Sequence, residues 1–191
     1  QTVPVSVRAL ATRQLNYSNL QKFVFKETWV GLVNGVIFDF LSNHQPGVPK
    51  STANIPRGAR YAVIEMGMGA KRTILPKAVT VRPHTAVVTD IQADHMEFHE
   101  SVASVVTTKM EIIWGLESGG TVVLNRDSAH FPTMHGLALQ RPDINILTFG
   151  EHPQADICAE DIALGPSHSM LRVRVFQKCV HYSVALPGVH M

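Results

Sequence analysis

The sequence predicts an α/β fold, a mostly parallel sheet flanked by helices with a small antiparallel strand set at the C-terminal end. Three observations predict it. Short β-rich runs alternate with longer helical stretches as far as Gly150. Their spacing is that of strand-helix-strand units, which build parallel sheets. Beyond Gly150 the pattern changes to apolar-polar alternation, the mark of antiparallel strands with one wet face.

Taken in order, the first helix is predicted over 22–41 and the first strand over Tyr61-Ala-Val-Ile-Glu65. A helix over 70–79 leads to the strand Thr85-Ala-Val-Val-Thr89, and one over 101–116 to Thr121-Val-Val-Leu124. A helix over 128–139 leads to Asn145-Ile-Leu-Thr-Phe149. Each strand candidate is four or five residues long and ends in turn formers, as buried strands do. Leu171-Arg-Val-Arg-Val-Phe176 and His181-Tyr-Ser-Val-Ala-Leu186 form the predicted antiparallel pair.

Composition narrows the function classes. With 191 residues, 45% hydrophobic and 17% charged, the chain can bury a substantial core and is not disordered. The longest apolar candidate, Trp29 to Leu41, is broken by Gly31, Asn34, Gly35 and Asp39, so no membrane partner is expected. A net charge of +2 does not argue for nucleic acid by itself. Residues 1–26 carry Arg8, Arg13, Lys22 and Lys26 with no acid, and residues 1–21 read as a basic lead-in to a domain over 22–191. Such a segment also resembles the tail of an organelle-targeting signal. The chain begins at Gln1, from which a processed product or a fragment is expected. Cys158 and Cys179 show no CxxC spacing and do not support zinc, while a disulfide between them stays open.

In a parallel sheet, ligands sit beyond the carboxyl ends of the strands. Glu65-Met-Gly-Met-Gly69 places a carboxylate before glycines, a pattern suited to magnesium beside a phosphate. The second strand runs into Asp90 and then Asp94-His-Met-Glu-Phe-His99. His95 and His99 have HxxxH spacing, but the HExxH pattern of zinc enzymes is absent, as is GxSxG. The third strand ends in Asn125-Arg-Asp-Ser128, where Asp127 or Ser128 also reads as a cap for the next helix. Arg172, Arg174 and Lys178 read as a solvated strand face or as a contact for RNA or an acidic partner.

Several runs in register resemble the central ATPase domain of the Mur ligases, from Lys22 to the close of the chain. They are Arg60-Tyr-Ala-Val-Ile-Glu-Met-Gly-Met68, Val81-Arg-Pro-His-Thr-Ala-Val-Val-Thr89, Asp94-His-Met-Glu-Phe98, Lys109-Met-Glu-Ile112, Gly119-Gly-Thr-Val-Val-Leu-Asn-Arg-Asp127 and Leu186-Pro-Gly-Val-His190. The branch resembled is the one that adds D-alanyl-D-alanine to the UDP-muramoyl tripeptide. The resemblance implies a P-loop-like α/β domain that uses ATP and magnesium. It implies that Glu65 and His95 hold cations, that Lys109 is carbamoylated, and that Lys22, Asn125 and His190 lie along the nucleotide.

The departures from the family pattern bear on activity. Aligning Lys26-Glu27 with the family's KE puts Lys22 on the phosphate-binding lysine and Ser18-Asn-Leu-Gln-Lys-Phe-Val-Phe25 where a glycine-rich loop belongs. Phe23 stands where a hydroxyl would ligate magnesium, and Met191 where the family has Asn. A phosphate cradle needs converging N–H groups and some positive φ, which costs a non-glycine residue about 1 kcal/mol or more. The expectation is a domain that has lost efficient ATP use, needs no cofactor, and serves as a binding or structural subunit. Its expected partners are proteins of a larger complex, such as an organellar ribosome in a mitochondrion or plastid. The alternative is a fragment of an active cytoplasmic ligase that retains ATP and magnesium.

Overall fold

The computed structural model describes residues 31–33, 36–39, 44, 46–55, 61–92 and 98–184. Its main sheet has six strands in sequential order: β4 (Thr85–Val88), β5 (Thr121–Asn125), β6 (Asn145–Gly150), β7 (Ile157–Leu164), β8 (Ser169–Val175) and β9 (Lys178–Val184). β4 through β7 pair in parallel, and β7, β8 and β9 pair antiparallel. A second sheet joins β1 (Gly31–Val33), β2 (Val36–Asp39) and β3 (Tyr61–Ile64), with β1 antiparallel and β3 parallel to β2. Thus the α/β class and the C-terminal antiparallel set stand as predicted.

The helices are α1 (Gly47–Ala53), α2 (Leu75–Val81), α3 (Val102–Met110), which continues into a 3₁₀ turn at Glu111–Gly115, and α4 (Phe131–Ala138). β5 is buried on both faces, which is why it reads as an unbroken apolar run. Val122 and Leu124 meet Val105, Val106 and Met110 of α3 and Met134 and Ala138 of α4 in one core cluster. Ser101 starts α3 by accepting the Ser104 amide at 3.3 Å, a side-chain N-cap. Gly115 lets the 3₁₀ turn lie directly against the α2 backbone at Ala78.

Three expectations are corrected, and the open question of a disulfide is closed. The predicted helix over 22–41 contains strands β1 and β2 instead. The sequence explains it: Val33, Val36, Ile37 and Phe38 favour strands, and Asn34-Gly35 between them is a strong two-residue hairpin signal. The helices predicted from 70 and 128 begin at Leu75 and Phe131, because Pro76 and Pro132 fit only a first turn. β7 has no counterpart among the predicted strands, since a bulge between Ala159 and Asp161 breaks its alternation. Lastly, Cys158 and Cys179 each pair with Arg174 from opposite sides of β8. Two strand spacings, about 9–10 Å, exceed the reach of a disulfide, and both thiols are free.

Candidate nucleotide site at the carboxyl ends of the strands

The carboxyl ends of β4 and β5 bring Asp90 and Asn125 together and α3 adds Lys109, while Glu65 follows the end of β3 in the second sheet. The Asn125 amide donates to Thr89 O at 2.8 Å, while its Oδ1 accepts the Asp127 amide at 2.9 Å. Lys109 Nζ donates to Asp90 O at 2.8 Å. Together they fasten consecutive carbonyls at the end of β4. The Asp90 carboxylate turns back on its own loop, accepting from the Ile91 amide and the Gln92 side chain.

Asp127 does not cap α4. It accepts the Glu151 and His152 amides at 2.6 and 2.9 Å and so ties the end of β5 to the end of β6. Gly150 makes this possible, because its φ is +149° and a Cβ there would run into the Asp127 carboxylate. Ser128 Oγ accepts the His130 amide at the entry to α4. Arg126 reaches Gln154 Oε1 at 2.8 Å and His152 Nδ1 at 3.2 Å, with its guanidinium 5.0 Å from the Phe131 ring centroid.

Glu65 is exposed just after β3. The loop behind it is held at several points. Lys77, 3% exposed, donates to Gly67 O, and burial holds its ammonium below the usual lysine range. His99, 4% exposed, bonds Gly69 O through Nε2 at 3.0 Å and Ser104 Oγ through Nδ1 at 2.9 Å. A carbonyl only accepts, so Nε2 donates to Gly69 O, while Nδ1 shares a hydrogen bond with the Ser104 hydroxyl, which can donate or accept. Both ring nitrogens are therefore engaged, and His99 is no partner for His95 in an HxxxH metal pair. The Glu111 carboxylate accepts the amides of Arg72, Ile74 and Leu75 at 2.8, 3.2 and 3.0 Å, capping the start of α2. Nothing in the local pattern marks Lys77, whereas Glu111 is visible only as part of the Lys109-Met-Glu-Ile112 run.

Of the remaining expected site residues, Lys22, His95 and His190 lie outside the described residues. Arg172 and Arg174 share one face of β8, where Glu160 lies 3.9 and 3.0 Å from their guanidiniums. Lys178 is paired with Val175 and so faces the other side of the sheet. The three cations do not form one strip. Among the described residues no group of three His, Cys, Asp or Glu side chains is placed to hold a metal ion. Magnesium does not require one, because it is commonly held by one or two carboxylates, phosphate oxygens and water. The exposed carboxylate of Glu65 fits that role.

In a parallel α/β domain of this class the ligand crevice lies beyond the carboxyl ends of the strands, where Asp90, Lys109 and Asn125 meet. Residues 17–191 match the family model of the Mur ligase middle domain, and the chain belongs to that family. The UDP-N-acetylmuramoyl-tripeptide–D-alanyl-D-alanine ligase of Buchnera aphidicola subsp. Baizongia pistaciae is 24% identical over 78% of this chain and 32% of its own length. The Escherichia coli ligase of the same name is 34% identical over 45% of this chain and 19% of its own. Among solved structures, MurF from Acinetobacter baumannii superposes with a TM-score of 0.73 at 21% identity, over 80% of this chain and 33% of that one. MurF ligase from Thermotoga maritima, solved in complex with ADP, gives 0.66 at 22% identity over 96% of this chain and 39% of its own. The chain thus spans about a third of the length of such relatives. Among the described residues, no helix is long and apolar enough to cross a membrane.

Proposed function

We propose that this chain supplies the nucleotide-handling domain of an ATP-dependent amide ligase that acts on a cytoplasmic UDP-muramoyl peptide, of the branch that adds D-alanyl-D-alanine. The observation that carries this reading is that Lys109 and Asn125 meet at the end of β4 while the loop that follows Glu65 is fastened to the helix of Lys109, in a member of the Mur ligase family. Glu65 would hold magnesium together with phosphate oxygens and water. Bound there, the ion would offset charge on the phosphoryl group being transferred. Asn125 and Lys109 keep the end of β4 fixed, so its polar groups would meet the nucleotide without reorganising. Calorimetric titration with Mg-ATP tests the reading: a Kd tighter than about 100 μM, or roughly 5.5 kcal/mol, supports it, and a flat response refutes it.

A second reading is favoured by the sequence Ser18 to Phe25, which has no glycine and carries Phe23 at the expected hydroxyl position. In it the domain has lost efficient ATP use and works as a binding or structural subunit of a larger complex, an organellar ribosome being one example. Retention of Lys109 and Asn125 suits this reading too, since both hold backbone carbonyls whether or not a nucleotide binds. A flat Mg-ATP titration with co-purification in a large assembly from the native source supports it; binding tighter than about 100 μM overturns it. If that assembly contains RNA, Arg172 and Arg174 offer one contact face and Lys178 another.

A further inference from the structure

Both ends of α3, the helix that carries Lys109, are fastened to the loop that follows Glu65. At the amino end the path runs from Ser104 Oγ through the His99 ring to Gly69 O, with steps of 2.9 and 3.0 Å. At the carboxyl end Glu111, directly after Met110, takes the amides of Arg72, Ile74 and Leu75. A helix tied at one point can still pivot about it. Ties near both ends of a nine-residue helix, about 10 Å apart from Ser104 to Glu111 at 1.5 Å per residue, remove that pivot. The loop is constrained in the same way, at Gly69 and again at 72–75. The His99 ring is buried and uses both nitrogens in this path, so it is spent on position and has no valence left for a ligand.

We propose that His99 and Glu111 are positioning residues that together fix Glu65 relative to Lys109 by clamping the two ends of α3 to one loop. The inference rests on the reading that Glu65 and Lys109 serve a cation and nucleotide site, and neither clamp residue touches the ligand. Orienting groups of this kind typically change metal affinity by 10- to 100-fold when removed.

The test uses the whole chain, titrated with Mn²⁺ and followed by electron paramagnetic resonance, together with amide hydrogen exchange over 66–75. Glu65→Gln identifies the part of the Mn²⁺ signal that belongs to the site. His99→Phe, which fills the space without a donor, and Glu111→Gln should each weaken that component about tenfold and speed exchange over 66–75. His99→Gln, which restores a donor for Gly69 O, should recover most of the affinity. A purely structural role lowers the melting temperature but leaves Mn²⁺ affinity of the folded variants at the wild-type value, and that result overturns the proposal. If the wild-type chain shows no Glu65-dependent Mn²⁺ binding, the proposed ligase function fails separately. The clamp is then decided by exchange weighed against stability: exchange over 66–75 faster than the loss of global stability accounts for in His99→Phe and Glu111→Gln sustains it, and exchange that merely tracks global stability overturns it.

Discussion

Gly115 and Gly136 offer a paired test of how the helices are packed, because the same change should have opposite signs at the two positions. A Cβ added at Gly115 would lie 2.6 Å from Ala78 Cβ and closer still to the Ala78 carbonyl group. Comfortable carbon contacts begin near 3.5 Å, so α2 would have to retreat by about 1 Å. Two of the three obstructing atoms are backbone, and no rotamer change relieves them. Gly115→Ala should therefore fall at the upper end of overpacking costs, about 3 kcal/mol. For a chain of this size that is a drop in Tm of roughly 6–12 °C. Gly136 lies inside α4 with no atom within 4 Å of the place a Cβ would take, so Gly136→Ala should gain about 0.5–1 kcal/mol of helix stability. Differential scanning fluorimetry and urea unfolding measure both. The double variant Gly115→Ala/Ala78→Gly should recover only part of the loss, since the backbone contacts remain. A Tm for Gly115→Ala within about 1 °C of wild type, less than 0.5 kcal/mol, would refute the packing argument.

Other outcomes follow from single features. Phe176 holds a φ of +54° in the two-residue connection between β8 and β9, so Phe176→Gly should stabilise the hairpin by about 1 kcal/mol in urea unfolding. Burial favours neutral Lys77, so unfolding takes up a proton; the stability of wild type relative to Lys77→Met should rise with pH, from the lowered value of the folded state toward the ordinary 10.5, as followed by urea melts from pH 7 to 10. Arg141 holds Asp143 down to about 2 against an ordinary 3.8, so this pair's stabilising effect is present above pH 4 and is lost as pH falls from about 4 to 2. Acid unfolding of Asp143→Asn should lack that component, and a difference from wild type that persists unchanged at pH 2 would count against it.

How much is legible in the sequence depends on whether a local pattern or a distant partner decides each element. β5 and β6 declare themselves as apolar runs because both faces of β5 are covered by core. The late starts of α2 and α4 are also written in the chain, as Pro76 and Pro132, but apolar periodicity runs on past both prolines and extends each helix too far. The Asn34-Gly35 dipeptide likewise signals a hairpin inside a run whose apolar spacing suits a helix. β7 is hidden for a different reason: its bulge shifts the phase of alternation, and the two acids Glu160 and Asp161 fall at that shift. In the site, Glu65 and Asn125 are visible because they end strands. The partners of Lys109 and Glu111, and the Gly69 partner of His99, lie 19 to 39 residues away, a distance over which no local pattern reports.

The same geometry bears on what a motif-matching site residue means in this chain. Lys109 and Asn125 match the family by motif, yet each already has a backbone carbonyl to hold at the end of β4, so losing either would disturb the fold as well as any chemistry. Glu65 is an exposed carboxylate at the end of β3, and the loop behind it is anchored at Gly67, Gly69 and residues 72–75 by other side chains. The loop does not need the Glu65 side chain for those anchors. Glu65→Gln and Asn125→Ala therefore probe different parts of the site. Asn125→Ala should lower stability by about 1–2 kcal/mol, since it frees the Thr89 carbonyl and the Asp127 amide. Glu65→Gln should abolish any Mg-ATP heat in calorimetry while the anchors at Gly67, Gly69 and residues 72–75 stay in place. A Glu65→Gln chain that binds Mg-ATP as wild type does would remove Glu65 from the site, and with it the reason for anchoring that loop so firmly.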